Sequence, residues 1–225
     1  MTPSRDLIRL RWLLLVVFLT PLLLLVAVFG TRLGVWSAAF GLGTLALQVG
    51  RVLAFAGGAA ALAGIILAMR APRRLGGLAA LGLAVAGGVL AGVLVQGAQF
   101  SPEPRDVTTD SAEPPAFSRA VSAARHAAQA PQATPQSCEG LAFAPTQVTP
   151  ETASRALAEA GFTVLGSAPF RADGRREGAW FGLTHDAAVR IRPGRTDVRV
   201  ASRSGVDVGD EACRLARAVV AGLKG

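Results

Sequence analysis

The sequence predicts a membrane α-helical region of three transmembrane helices joined to a small α+β soluble domain. Three observations predict it. Apolar residues make up 51% of the 225-residue chain, but the long Leu/Val/Ala/Gly runs end near residue 97. Charge divides at the same place. Residues 1–99 carry eight arginines against the single acid Asp6, while residues 100–225 carry fifteen bases and fourteen acids. The second half then alternates apolar and polar residues in short runs, the pattern of an antiparallel sheet with one buried face.

The first element is the charge-free run from Trp12 to Phe29. At about 1.5 Å per residue it covers roughly 27 Å, close to the hydrocarbon thickness of a bilayer. Pro21 should kink it. Arg5, Arg9 and Arg11 precede it as in a signal peptide, yet no small-residue cleavage pattern follows at Val28-Phe29-Gly30-Thr31, so it reads as an uncleaved anchor. Residues 52–69 and 75–95 form the second and third spans. Between the first two, residues 31–51 read as an interfacial amphipathic segment, with Leu33, Trp36, Phe40 and Leu47 at helical spacing and Trp36 at headgroup level. The alternative is a fourth span over 33–49, which leaves little more than Gly50-Arg51 to turn the chain. Small residues recur at Gly76, Ala80, Ala84, Gly88 and Gly92, and at Ala56, Ala60, Gly64 and Ala68, which predicts that spans two and three pack as a hairpin.

The arginines set the orientation. Arg5, Arg9 and Arg11 share a side with Arg70, Arg73 and Arg74 if there are three spans, and that side should be cytoplasmic. The C-terminal domain is then extracytoplasmic, periplasmic in a Gram-negative cell. Lys224 is the sole lysine among 23 basic residues, a composition typical of a GC-rich bacterial genome. The net charge of +8 belongs almost wholly to the membrane region, so it reports topology rather than nucleic-acid binding. No Asp, Glu, His or Lys lies inside a span, which argues against an ion or proton pathway.

Residues 100–115 form a proline-rich linker, with Pro102, Pro104, Pro114 and Pro115, and the soluble domain spans 116–225. A short helix is expected over 116–128 and a Pro/Gln/Ala loop over 131–145. Thr149-Pro150-Glu151 is a helix start and Gly161 its stop. About four strands follow, at 162–167, 177–183, 187–192 and 197–202, with turns at Asp173-Gly174 and Pro193-Gly194. In the last two strands Val189, Ile191, Val198 and Val200 face one way, and Arg190, Arg192, Asp197 and Arg199 the other. A helix over 208–223, N-capped by Asp207, ends the chain.

Arg105-Asp106-Val107-Thr108-Thr109-Asp110, Pro114-Pro115-Ala116-Phe117, Trp180-Phe181-Gly182, Val189-Arg190-Ile191-Arg192 and Asp197 through Ser204 occur in that order. This order resembles the bacterial domain-of-unknown-function family 1499, over about residues 105–223, whose similar members carry membrane helices before the domain. The resemblance implies no catalytic residues. The chain departs from the family's pattern at Thr184-His185-Asp186 and at Val206-Asp207-Val208-Gly209.

The candidate sites are few. Arg190, Arg192, Arg199 and Arg203 form an arginine face that suits an anionic lipid headgroup or an acidic envelope partner. The bland reading is a solvated face neutralised by Asp186 and Asp197. A pocket joining Arg190 and Arg199 to Trp180 and His185 would instead suit an outer-leaflet enzyme or small-molecule binder. Asp106 to Asp110 should hold its own backbone in side-chain turns. Cys138 and Cys213 are a candidate disulfide tying the loop to the last helix, the alternative being two unpaired thiols. His126 and His185 show no metal or triad spacing, and no catalytic motif, metal or cofactor is expected. With the lipid bilayer as the first partner, a non-enzymatic inner-membrane protein is the reading of choice. Alkaline phosphatase fused to the C-terminus is therefore expected to be active in whole cells. An inactive fusion of normal abundance reverses the topology.

Overall fold

The computed structural model describes residues 5–70, 72–101, 106–204 and 206–225. Pro102, Pro104 and Arg105 lie outside them. The chain forms two compact units, Met1–Gln99 and Phe100–Gly225.

In the first unit α1 (Arg5–Arg32), α2 (Gly50–Ala68) and α3 (Pro72–Gln99) are the long helices. A π-helical stretch, Ala39–Val49, runs directly into α2. Ala39–Ala68 is thus one helical run of 30 residues, and among the described residues three helices are long and apolar enough to cross a membrane. The expected break before residue 52 is not there. Gly50 is helical, with φ −60° and ψ −36°, and its amide donates to the carbonyl of Leu45, five residues back. Residues 39–49 hold neither charge nor proline, so nothing stops the helix. This also removes the turn at Gly50-Arg51 that a fourth span over 33–49 requires. The chain turns instead just after α1, where Gly34 takes φ +71° and the Val35 amide donates to the Gly30 carbonyl. Trp36 closes the corner, its indole N–H donating to the Thr31 hydroxyl at 3.1 Å.

Helix α2 packs on both α1 and α3. Its buried stripe is Ala54, Gly57, Ala60, Ala61, Gly64 and Ala68, so Ala60, Gly64 and Ala68 lie where expected and Gly57 replaces the exposed Ala56. A Cβ on Gly64 would stand 3.2 Å from Leu10 Cδ1, which shows how closely α1 approaches. On α3 the stripe shifts. Leu75, Ala79, Ala86 and Val93 are buried, whereas Ala80, Ala84, Gly88 and Gly92 are exposed. Glycine at nearly every turn of α3 made several stripes equally readable.

The second unit is an antiparallel sheet flanked by helices. Its strands are β2 (Asp106–Thr108), β3 (Thr163–Ala168), β4 (Arg171–Glu177), β5 (Thr184–Arg192) and β6 (Arg195–Ser202), in the order β2-β6-β5-β4-β3. A separate two-residue pairing joins β1 (Phe100–Ser101) to β7 (Asp207–Val208). The helices are α4 (Arg119–Ala127), α5 (Pro150–Glu159) and α6 (Glu211–Lys224). Helices α5 and α6 cover one face. Ala153, Ala156, Leu157, Leu215, Val219 and Leu223 meet Val189, Ile191, Val198 and Val200 in one core. Each buried Leu, Ile or Val there contributes about 1.5–3 kcal/mol. The cap of α5 forms as the sequence implies: the Thr149 hydroxyl accepts from the Thr152 amide at 3.2 Å, Pro150 opens the helix, and Gly161 follows it at φ +83°.

The antiparallel sheet with flanking helices forms as expected, with five strands where about four were read, because β2 draws its partner from β6, far along the chain. Two local expectations fail for identifiable reasons. Asp173-Gly174 is the middle of β4 rather than a turn, and residues 178–183 form the loop. Gly174 is there for space, since a Cβ would stand 3.0 Å from Phe162 Cβ. The last helix begins at Glu211, because Gly209 adopts φ +60° and residues 207–208 pair with β1.

The two sheet edges are unlike. The β2/β6 edge is closed by the loop before α5. Gln136 exchanges backbone hydrogen bonds with Asp106 and Thr108, and Ala144 exchanges them with Thr196. Cys138 and Cys213 form a disulfide that ties this loop to α6, across a separation of 75 residues. Such a link restricts the unfolded chain by up to about 4 kcal/mol. Denatured protein is therefore expected to show no free thiol before reduction and both thiols after it, and Cys138→Ser should lower the unfolding temperature. Equal thiol counts refute the link.

Candidate functional site

The polar face of the sheet is not open to solvent. The chain after β2 folds back across it and continues into α4. The Thr109 amide and hydroxyl exchange hydrogen bonds with Val198 in continuation of β2. Phe117 lies between two guanidinium groups, 5.0 Å from Arg125 and 4.6 Å from Arg199. Ser118 caps α4 by accepting from the Val121 amide, and its own amide donates to Asp173 Oδ1 at 3.2 Å. Under this cover Asp173, Asp186 and Asp197 are buried carboxylates.

Buried carboxylates need cations or donors, and each predicted arginine supplies one. Toward the turn at Gly194, Asp197 accepts from Arg192 Nη2 and Arg195 Nε at 2.7 Å and from Arg190 Nη2 at 3.2 Å. Asp110 adds contacts of 3.0 Å to Arg190 and Arg192, and Glu113 one of 3.0 Å to Arg192. In the middle of the face Arg199 grips both oxygens of Asp106, at 2.9 and 2.6 Å. At the other end Arg203 forks onto Asp186, which Arg125 also reaches at 3.0 Å. The four arginines thus share a face, but their positive charge is answered within the domain.

The shifts in acidity follow this geometry. The Glu113 amide, at 3.1 Å, and then Arg192 hold the Asp110 carboxyl below its ordinary value of 3.8. Its contribution to stability is present above that value and is lost as the pH falls below it. Asp173 goes the other way: burial raises its pKa, against the Ser118 amide and Arg171. Asp197 pushes Arg192 above its usual range.

Trp180 and His185 stand apart from this cluster. Trp180 is 73% exposed on the loop joining β4 to β5. His185 is buried on the core side of β5, paired across the sheet with Ser202. Arg190 lies on the opposite face, and the eight steps of β5 separate its ends by about 26 Å. His185 and the arginines Arg190 and Arg199 therefore lie on opposite faces of the sheet. The groove between α5 and α6, about 590 Å³ and bordered by Arg155, Glu159 and Gly222, involves none of them. Among the described residues no group of three or more His, Cys, Asp or Glu is placed to hold a metal.

Sequence reasoning named the arginines and two of their partners, Asp186 and Asp197, but missed Arg125, Arg195, Asp110 and Glu113. Asp106 to Asp110 do form local side-chain turns, as between Thr108 Oγ1 and the Asp110 amide at 3.2 Å. Their carboxylates also reach arginines more than 75 residues away, and periodicity carries no signal for that.

Two substitutions separate the roles of the buried acids. Asp186→Asn leaves Arg125 and Arg203, only 13% and 11% exposed, facing one neutral group. It is expected to cost about 3 kcal/mol in denaturant unfolding of the detergent-solubilised chain. Asp173→Asn keeps an acceptor for the Ser118 amide and removes a burial cost that grows as the pH rises through the raised pKa. At pH 7 it should be neutral or stabilising.

Residues 106–220 match the family described as Protein of unknown function (DUF1499). That stretch takes in β2 through most of α6, and so the whole five-stranded sheet and the face built on it. No curated protein and no solved structure matches the chain. Because the match covers just over half of the sequence and all of the sheet, the chain belongs to the DUF1499 family.

Proposed function

We propose that this protein is a non-enzymatic module of the bacterial cell envelope, held in the inner membrane by its three helices, whose extracytoplasmic domain contacts the lipid interface through Trp180. The arginine pattern around the helices supports the orientation, since Arg5, Arg9 and Arg11 share a side with Arg70, Arg73 and Arg74 in a three-span arrangement. The arginine face is the weaker candidate for the lipid contact, because its charge is answered by Asp106, Asp110, Asp186 and Asp197.

The observation that carries the reading is the exposure of Trp180 on a firmly held loop. The Gly178 amide donates to the Leu183 carbonyl at 2.9 Å, closing the loop at its base. The Arg203 amide donates to the Thr184 carbonyl, and the Ser204 hydroxyl accepts from the Thr184 amide. An indole held out in this way loses little freedom on binding, and its amphipathic ring suits the headgroup region.

Strand β2 starts opposite Ala201, at the end of β6 where β4 also finishes and β5 starts, so the Trp180 loop projects from the same end of the sheet as the start of β2.

The full chain carrying Trp12→Phe and Trp36→Phe, reconstituted in nanodiscs, tests this directly. Trp180 should emit at short wavelength and be quenched by lipids brominated near the headgroup. Water-like emission that brominated lipid leaves unchanged overturns the reading.

A further inference from the structure

We infer that the outer edge of β3 is a docking site for an extended, mostly uncharged segment of another protein, which adds to the sheet as a sixth strand. Strand β3 is the last in the order and has β4 on one side only. The opposite edge is closed by Gln136 and Ala144, and the loop that closes it is pinned by the disulfide. No described strand or loop does this for β3.

An unpaired edge offers a row of backbone donors and acceptors. Proteins ordinarily blunt such edges with charge, proline, bulges or cover. Residues 163–170 carry no charge, and the one proline, Pro169, falls in the turn beyond the strand. The bulge between Val164 and Gly166 is the only blunting device within β3. Nearly every β3 side chain is exposed, Leu165 at 48%, and Phe170 in the following turn at 70%. The chain leaves apolar side chains and free backbone together on one edge, the two components that strand addition uses for specificity and affinity.

Charge around the edge indicates the occupant. Arg175 lies opposite Thr163 and Arg171 opposite Ala168, so an exposed arginine stands beside each end of β3. A second copy of β3 would bring an equally uncharged strand and two more arginines. An apolar segment with an acid near each end would meet backbone, Leu165 and both arginines at once.

The probe is a fluorescent peptide, Asp-Val-Thr-Val-Thr-Val-Thr-Asp, added to the full chain in nanodiscs. The control peptide carries proline at alternate positions and cannot complete a ladder. The first peptide should bind saturably and slow amide exchange over residues 163–168 by about tenfold. Leu165→Lys and Arg175→Glu, both surface changes, should each weaken binding by about tenfold. Equal binding of the control, unchanged exchange at 163–168, or full affinity in both variants overturns the proposal. So does slowing of the same amides by protein concentration alone, which would make the occupant a second copy.

Discussion

The domain depends on pairing carboxylates beneath its own chain. Asp186 and Asp197 sit on strands β5 and β6 with no contact to solvent, where an acid without a partner is costly. Arg125 and Arg203 answer the first; Arg190, Arg192 and Arg195 answer the second. The arrangement then dictates much else. The segment after β2 must cross the sheet to deliver Asp110 and Glu113, and α4 must be capped where Arg125 can reach back. Phe117 is trapped between two guanidinium groups as a result. One face of the sheet is therefore packed by dispersion and the other by charge, and the second constrains geometry more tightly because every donor needs an acceptor in line.

What could be read from the sequence was whatever repeats over short distances. The alternation through β5 and β6 assigned Val189 and Val198 to the core and Arg190 and Arg199 to the other face, and the cap at Thr149-Pro150 placed α5 to the residue. What could not be read was set by distant partners. Asp173-Gly174 has the composition of a turn, but Asp173 is held by an amide 55 residues earlier, and Gly174 is small because Phe162 crowds it. Strand β2 is three residues long among prolines, and only its pairing with β6 makes it a strand. In the helical unit hydropathy picked out the long apolar helices, yet a helix rich in alanine and glycine offers several equivalent stripes, so the packed face of α3 could not be chosen in advance.

The two halves of the molecule use their charges for different ends. In the helical unit most arginines lie toward the helix ends, Arg51 within the continuous run Ala39–Ala68 being the exception. In the domain nearly equal numbers of acids and bases are spent on one another. What is left for a partner is then an indole at one end of the sheet and, at its side, an uncovered strand flanked by Arg171 and Arg175. Their separation means that a contact with lipid and a contact with a protein would not compete for the same residues.

The pairing of β2 with β6 joins residues about 90 positions apart, with Asp106 gripped by Arg199. The first strand of the five-stranded sheet must wait for the last. At about 5–20 residues per second, synthesis alone separates the two by roughly 5–20 seconds. During that interval β2, its acidic turn and the chain after it have nothing to close on. A chain halted before β6 would lack Asp197, Arg199 and Arg203, leaving Asp106 without its partner, so the ionic layer closes only once β6 has been made.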